Sequence, residues 1–182
     1  MAKKKASWLV PVVFAAVAAL LFIMFFLPTA AIGVEVAGHG VGDRTTFSGL
    51  DSVIALFSGE LNSDMSAGVA AAYGFKEASA TSASFGATAV CWLILALVSL
   101  ATMVLSVLAI FSKNKKVLFG KLFMLVLAVL SLVILISTIA MIAQWNGQRF
   151  AGTVTKASIH MASILAFVFG LGGAASAYLL KK

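Results

Sequence analysis

Four long apolar stretches constrain this chain more than any other feature of its sequence. They cover residues 8–27, 88–111, 117–143 and 158–180. A helix needs about 20 apolar residues to cross the hydrocarbon core of a bilayer. Because hydrocarbon offers no partners to backbone N–H and C=O groups, each stretch is predicted to be helical. The sequence therefore predicts an all-α membrane protein: a single domain in which four transmembrane helices form an antiparallel bundle.

The composition agrees with a membrane protein and argues against a nucleic-acid partner. The chain is 62% hydrophobic and 10% charged, whereas soluble domains have about 45–50% apolar and about 25% charged residues. Its net charge of +7 would favour nucleic-acid binding if the basic residues formed a stripe. Here the lysines flank the apolar stretches, where they set topology and contact anionic lipid. The expected partner is therefore the lipid bilayer.

The charged residues are divided between the two sides of the predicted bundle. Nine basic residues flank one side: Lys3, Lys4, Lys5, Lys113, Lys115, Lys116, Lys121, Lys181 and Lys182. The other side has Arg44, Lys76, Arg149 and Lys156, together with all six acidic residues, Glu35, Asp43, Asp51, Glu60, Asp64 and Glu77. Basic residues concentrate on the cytoplasmic side. We therefore expect a multi-pass protein of the cell membrane, of the bacterial cytoplasmic type, with both termini cytoplasmic and residues 28–87 outside.

The first apolar stretch has a second interpretation, as a signal peptide. Lysines at positions 3–5 precede it, and the small residues Ala30 and Ala31 follow. The apolar part of a signal peptide is about 7–15 residues long, and this stretch is longer, so a retained membrane anchor is favoured. Cys91 is the only cysteine. No disulfide within the chain is therefore expected to hold the outer segment, and Cys91 is interpreted as a small buried apolar residue.

The outer segment, residues 28–87, is predicted to form a partly structured cap. Residues 32–37 and 44–47 flank a Gly-rich turn and predict a short β-hairpin. Ser48 and Asp51 are spaced to form a shortened capping box for a helix over Gly49–Ser58. One face of this helix is apolar: Leu50, Val53, Ile54 and Phe57. We expect that face to pack on the outer ends of the spans in preference to the lipid headgroup layer.

Small and hydroxyl-bearing residues predict how the spans associate, because close backbone approach and polar links hold membrane helices together. The small residues of the fourth span are Ala162, Ala166, Gly170, Gly173 and Ala174. Their main interpretation is packing within one chain, and the alternative is a homodimer face. The hydroxyl residues are Ser99, Thr102 and Ser106 of the second span and Ser131 and Thr138 of the third. These two stripes are expected to meet and pack, or else to line a narrow polar path.

No catalytic, cofactor or metal motif is recognisable in the sequence. No Asp, Glu, Arg or Lys lies near the middle of a span, which argues against energised transport. His39 and His160 have no Cys or carboxylate at ligand spacing, so neither a metal site nor a cofactor is expected. Trp145 is expected to lie at the lipid–water boundary as an anchor.

The topology is similar to that of claudin-like tetraspan proteins, with four spans, both termini inside and a long first outer loop. Those proteins carry a tryptophan motif and a cysteine pair in that loop. The first outer loop of this chain contains neither Trp nor Cys. No functional residue of that family is therefore carried over.

The sequence as a whole predicts a non-enzymatic interaction, assembly or accessory subunit. Its acidic outer cap would carry recognition, and the Ala/Gly face of the fourth span would carry association. The partner would be another membrane protein or a second copy of the chain. The alternative is an oligomeric channel or small-solute carrier lined by the Ser and Thr residues of the second and third spans.

Overall fold

The structure, a computed structural model, describes residues 9–36, 39–40, 45–58, 83–111, 118–146, 149–150 and 153–179. Five helices and five strands occur in these residues. In chain order they are α1 (Leu9–Met24), β1 (Pro28–Val36), β2 (His39–Gly40), β3 (Thr45–Ser48), α2 (Gly49–Ser58), α3 (Ala83–Phe111), α4 (Leu118–Trp145), β4 (Arg149–Phe150), β5 (Thr153–Ile159) and α5 (Met161–Leu179).

Three helices are long and apolar enough to cross a membrane. Within α3, α4 and α5 the qualifying segments are Phe85–Phe111, Gly120–Trp145 and Met161–Leu179. Helix α1 has 16 described residues, a rise of about 24 Å, which is short of the roughly 30 Å of a hydrocarbon core. The exposed side of α1 is nevertheless apolar, as Leu9 and Ile23 illustrate, so α1 is apolar on all sides.

The four longer helices form a ring in which α1 lies between α3 and α5, and α4 lies opposite α1, also between α3 and α5. All strands lie at one end of this ring, which we call the cap end. Strand β1 follows the end of α1, β4 follows the end of α4, and β5 immediately precedes α5. Adjacent helices in the ring therefore run in opposite directions.

The described residues are mostly helical, as predicted, but the cap contains a five-stranded antiparallel sheet where the sequence predicts only a short hairpin. Central strand β1 pairs along one edge with β5, from Ala30↔Ile159 to Val36↔Thr153. Along its other edge β1 pairs with β3 and then β2, while β4 pairs with β5. The sequence predicts a hairpin within residues 28–87, but the longest pairing joins β1 to β5, more than a hundred positions later in the chain. Residues 158 and 159, predicted to begin the fourth span, belong to β5.

The sheet lies beside the cap end of α3, in the space left because α1 ends short of it; we call this space the step. Phe25, just beyond α1, packs against Trp92 of α3 with ring centroids 6.5 Å apart. Trp92 is seven residues inward of Phe85, so α1 ends about 10 Å short of the cap end of α3. The sheet occupies this step, and its inner face packs against α3 and α4. The buried cluster there comprises Ala30, Ile32, Phe47, Ala55, Phe85, Met141 and Trp145.

Candidate functional site

Helix α2 occupies the range predicted for it, and its first turn is closed by the predicted polar pair. The Ser48 amide and hydroxyl each donate to Asp51 Oδ2 over 2.8 Å. In return, the Asp51 amide donates to Ser48 Oγ over 3.1 Å. These bonds satisfy donors that an isolated helix N-terminus leaves open. The Asp51 carboxylate is therefore bound within its own chain.

The start of α2 is fixed tightly to the end of α1. The Leu50 amide donates to the carbonyl oxygen of Phe25 over 3.0 Å. An amide in the first turn of α2, which has no partner within its own helix, thus bonds to a carbonyl just beyond the end of α1. A Cβ on Gly49 would lie 2.8 Å from the Trp92 ring and 2.9 Å from the Phe25 ring. Only glycine lets the backbone approach these two rings so closely.

The apolar face predicted for α2 is divided in the structure. Val53 is buried and Leu50 packs partly against the core, but Ile54 is 52% exposed and Phe57 is 77% exposed. The helix is therefore rotated relative to the predicted orientation. Ser52 is buried instead. Its hydroxyl donates to the Ser48 carbonyl over 2.9 Å, so this buried polar group has a hydrogen-bond partner.

The face of the sheet directed away from α3 and α4 carries polar side chains. Thr46 and Lys156 are exposed on it, and Lys156 Nζ lies 3.7 Å from Glu35 Oε2. Exposed ion pairs of this kind contribute about 0–1 kcal/mol. Both described carboxylates, Glu35 and Asp51, thus interact with their own chain. The other acidic residues of the predicted acidic cap, Asp43, Glu60, Asp64 and Glu77, lie outside the described residues.

Two buried hydroxyls connect β1 to its neighbours, and no local sequence pattern predicts either of them. Thr29 Oγ1 donates to the Phe47 carbonyl over 2.9 Å, which joins β1 to β3. Ser163 Oγ donates to the Thr29 carbonyl over 3.3 Å, which joins the first turn of α5 to β1. The His160 amide donates to the same Thr29 carbonyl over 2.9 Å. Thr29 therefore links the sheet to the start of α5 through hydrogen bonds.

The hydroxyl stripes predicted on the second and third spans are buried inside the bundle, and we call the two buried stripes of α3 and α4 together the seam. Each helix places a buried residue on the seam every seven positions, close to two helical turns. The Phe85 and Trp145 rings, 6.0 Å apart, set the register of the antiparallel pair. The approximate levels are then Phe85 with Trp145, Trp92 with Thr138, Ser99 with Ser131, and Ser106 with Met124.

Two of the five predicted hydroxyls on the seam bond to a carbonyl of their own helix, as expected for Ser and Thr in membrane helices. Thr102 Oγ1 donates to the Val98 carbonyl over 2.7 Å, and Ser131 Oγ donates to the Ala128 carbonyl over 2.9 Å. Three buried polar atoms of the described residues have no partner: Trp92 Nε1, Ser99 Oγ and Thr138 Oγ1. The seam thus lies inside one chain and contains three unsatisfied polar groups.

The small residues of the fourth span face the interior of the same chain. Ala162, Ala166, Gly170 and Gly173 are buried, and Ala174 is half-buried. A Cβ on Gly170 would meet the Ser131 side chain and would lie 3.2 Å from Ala128 Cα. A Cβ on Gly173 would lie 2.9 Å from both Met124 Sδ and Val17 Cγ1. This face is therefore occupied by α4 and α1, which agrees with packing within one chain.

The two histidines lie at opposite ends of β1. His39 pairs with Val36, whereas the His160 backbone bonds to Thr29. Seven strand residues separate these positions, about 23 Å at 3.3 Å per residue, so the two imidazoles cannot share a metal ion. Among the described residues, no group of three or more His, Cys, Asp or Glu side chains is arranged to hold a metal. Cys91 is half-buried on α3.

Trp145 is buried, which corrects its predicted role as a lipid–water anchor. It is 2% exposed and packs against Phe47 with ring centroids 5.6 Å apart. Together with Phe85 it connects the sheet to α3 and α4. Nothing in the local sequence distinguishes such a tryptophan from a boundary tryptophan, because both follow directly on an apolar span.

No protein-family model, no curated protein and no solved structure matches this chain.

Proposed function

We propose that this chain is a non-enzymatic, multi-pass membrane protein whose bundle holds the sheet as a rigid recognition platform for another membrane protein. This proposal rests on the very short connections between two helices of the bundle and the two central strands of the sheet. Three residues separate α1 from β1, and His160 alone separates β5 from α5. The two helices pack side by side, and their strands pair over seven residue pairs. A sheet joined in this way cannot move independently of the bundle.

In this proposal α1 also crosses the membrane, which brings the number of membrane spans to four. Phe14 of α1 packs at Gly120, near the start of α4, and Phe25 reaches Trp92 at the other end. Helix α1 thus contacts neighbouring helices at both ends of the bundle. A helix that is apolar on all sides and packed between two spans is suited to lipid.

The cap end lies outside the cytoplasm in this proposal, because most basic residues belong to the opposite end. Labelling of single cysteines tests this in a Cys91→Ala background. We expect Lys156→Cys to react with a membrane-impermeant reagent applied to intact cells, and Lys115→Cys to react only after the membrane is opened. Reaction of both in the same compartment would contradict the proposed orientation.

The buried seam supports the interaction proposal over the alternative of an oligomeric channel. A channel lined by Ser99, Thr102 and Ser106 would need these hydroxyls to face an opening between helices or copies. They are buried inside the single chain instead, and Thr102 bonds to its own helix. The triple Ala variant should therefore fold and retain its partner, whereas a channel would change its conductance or uptake.

Photo-crosslinking in native membranes tests recognition directly. A crosslinking amino acid at Lys156 and another at Thr46 would probe the exposed face of the sheet. The matched control is Leu97, a 59% exposed apolar residue on α3. We expect both sheet positions to capture the same protein in stoichiometric amount and Leu97 to capture only lipid. Equal capture from all three positions, or none from the sheet, would contradict the platform.

A further inference from the structure

Helix α2 packs lengthwise against α3, with its axis nearly antiparallel to that of α3. Gly49 packs on Trp92, and a Cβ on Gly86 would lie 3.9 Å from Leu56 Cδ1. From Gly49 to Leu56 α2 rises about 10.5 Å, and from Trp92 to Gly86 α3 covers about 9 Å. The two helices therefore run side by side in opposite directions over the first two turns of α3.

These first two turns of α3 pass through the headgroup layer of the membrane. The apolar segment Phe85–Phe111 has 27 residues, about 40 Å, whereas a hydrocarbon core is about 30 Å thick and about 40–45 Å with both headgroup layers. Lys121 lies in the first turn of α4, at the opposite end of the bundle, where a lysine is expected at the water boundary. The excess of about 10 Å therefore lies at the cap end, between Phe85 and Trp92, at the depth of α2.

The exposed side of α2 is apolar at this depth. Ser48, Asp51 and Ser52 direct their polar atoms into the N-terminal bonds of the helix. The side that remains uncovered presents Ile54 and Phe57, with Ser58 exposed at the end of the helix. No basic residue lies in the last turn of α2, so attraction to anionic headgroups does not explain this surface, and burial of apolar side chains at the acyl boundary does.

We propose that Ile54 and Phe57 form a lipid-contact surface, by which α2 is inserted into the outer headgroup layer beside α3. The occupant of this surface is phospholipid, with the side chains reaching toward the upper acyl chains. This inference rests on the membrane placement proposed above. It assigns the exposed side of α2 to lipid and leaves the polar face of the sheet for a protein partner.

Spin labels test the contact in the purified full chain, reconstituted in phosphatidylethanolamine and phosphatidylglycerol vesicles. In the Cys91→Ala background, labels are placed at Ile54→Cys and Phe57→Cys. Leu97→Cys is the control for lipid and Lys156→Cys the control for water. Collision with oxygen, which concentrates in lipid, is compared with collision with a water-soluble nickel chelate. We expect the ratio of oxygen to nickel collisions at both α2 positions to exceed that at Lys156 severalfold and to approach that at Leu97.

The outcomes separate this inference from the placement on which it rests. Lipid-like values at Leu97 with water-like values at Ile54 and Phe57 would overturn the lipid contact alone. Water-like values at Leu97 would overturn the membrane placement and the inference with it. Spin–spin broadening at Phe57 that disappears when labelled protein is diluted with unlabelled protein would identify a second copy as the occupant, and would also overturn the proposal.

Discussion

Gly170 of α5 packs directly on Ser131 of α4. A Cβ at position 170 would overlap the Ser131 hydroxyl and would lie 3.1 Å from Ser131 Cβ and 3.2 Å from Ala128 Cα. The Ser131 hydroxyl is itself bonded to the Ala128 carbonyl. The α5 backbone at Gly170 thus lies against the small Ser131 side chain and the Ala128 backbone, the close approach by which small residues hold membrane helices together.

Gly170→Ala is therefore expected to destabilise the protein by about 1–3 kcal/mol, the usual cost of overfilling a packed contact. The closest neighbour is the Ser131 hydroxyl, which is bonded to the Ala128 carbonyl, and the Ala128 Cα at 3.2 Å is backbone that cannot rotate away. The free energy of unfolding in a denaturing-detergent titration measures the effect. Gly173→Ala should cost less, because Met124 Sδ is one of its two close neighbours and is the flexible end of a side chain.

Gly172→Ala is the matched control, since nothing lies within 4 Å of a Cβ at that position. We expect no loss of stability, or a small gain from the better helix propensity of alanine. Equal losses for Gly170→Ala and Gly172→Ala would mean that the small-residue face is assigned to the wrong side of α5.

A second prediction compares one substitution at two buried threonines. Thr29 and Thr138 are both fully buried, but only Thr29 donates to another strand, at the Phe47 carbonyl. Thr29→Val should cost about 1–3 kcal/mol, because a buried carbonyl loses its partner. Thr138→Val should be neutral or stabilising, because its hydroxyl is already unpartnered. A larger loss at Thr138 would reveal a partner for its hydroxyl and refute its assignment as unsatisfied.

The parts of this fold that could be predicted from sequence are those fixed by neighbours in the chain. Three long apolar helices follow from the hydropathy of continuous segments. The Ser48–Asp51 cap of α2 follows from spacing alone, because both partners lie within one helical turn. The small-residue face of α5 follows from four-residue periodicity, which places Ala166 and Gly170 on one side.

The parts that could not be predicted depend on contacts between distant segments. Strand β5 has alternating residues, but its partner β1 lies more than a hundred positions earlier, and no local pattern specifies that pairing. The orientation of α2 was missed for a related reason. Leu50, Val53, Ile54 and Phe57 share a face by spacing, yet bonds to Phe25 and contacts to Trp92 fix the rotation of the helix.

A third prediction concerns the cap of α2. Ser48→Ala removes the acceptor for the Asp51 amide and one of two donors to its carboxylate. The expected cost is about 1 kcal/mol, the typical value for an N-cap residue. Hydrogen–deuterium exchange of the peptide covering Gly49–Ser58 should become faster. Ser48→Thr retains the hydroxyl and is the control. If both variants exchanged at the wild-type rate, the bonds at Ser48 would contribute nothing to the stability of α2.

The last prediction tests what holds the sheet against the bundle. Phe47 is 3% exposed and packs on Trp145 between β3 and α4, so Phe47→Ala opens a cavity in this contact and should cost about 3–5 kcal/mol. Phe57→Ala makes the same change at a side chain that is 77% exposed and should cost little in detergent. The free energy of unfolding compares the two. In the Phe47→Ala variant the label at Lys156→Cys should also gain mobility, because the sheet loses its main apolar contact with the bundle. Equal costs for the two alanines would show that the sheet is held by its pairing and its helix connections alone.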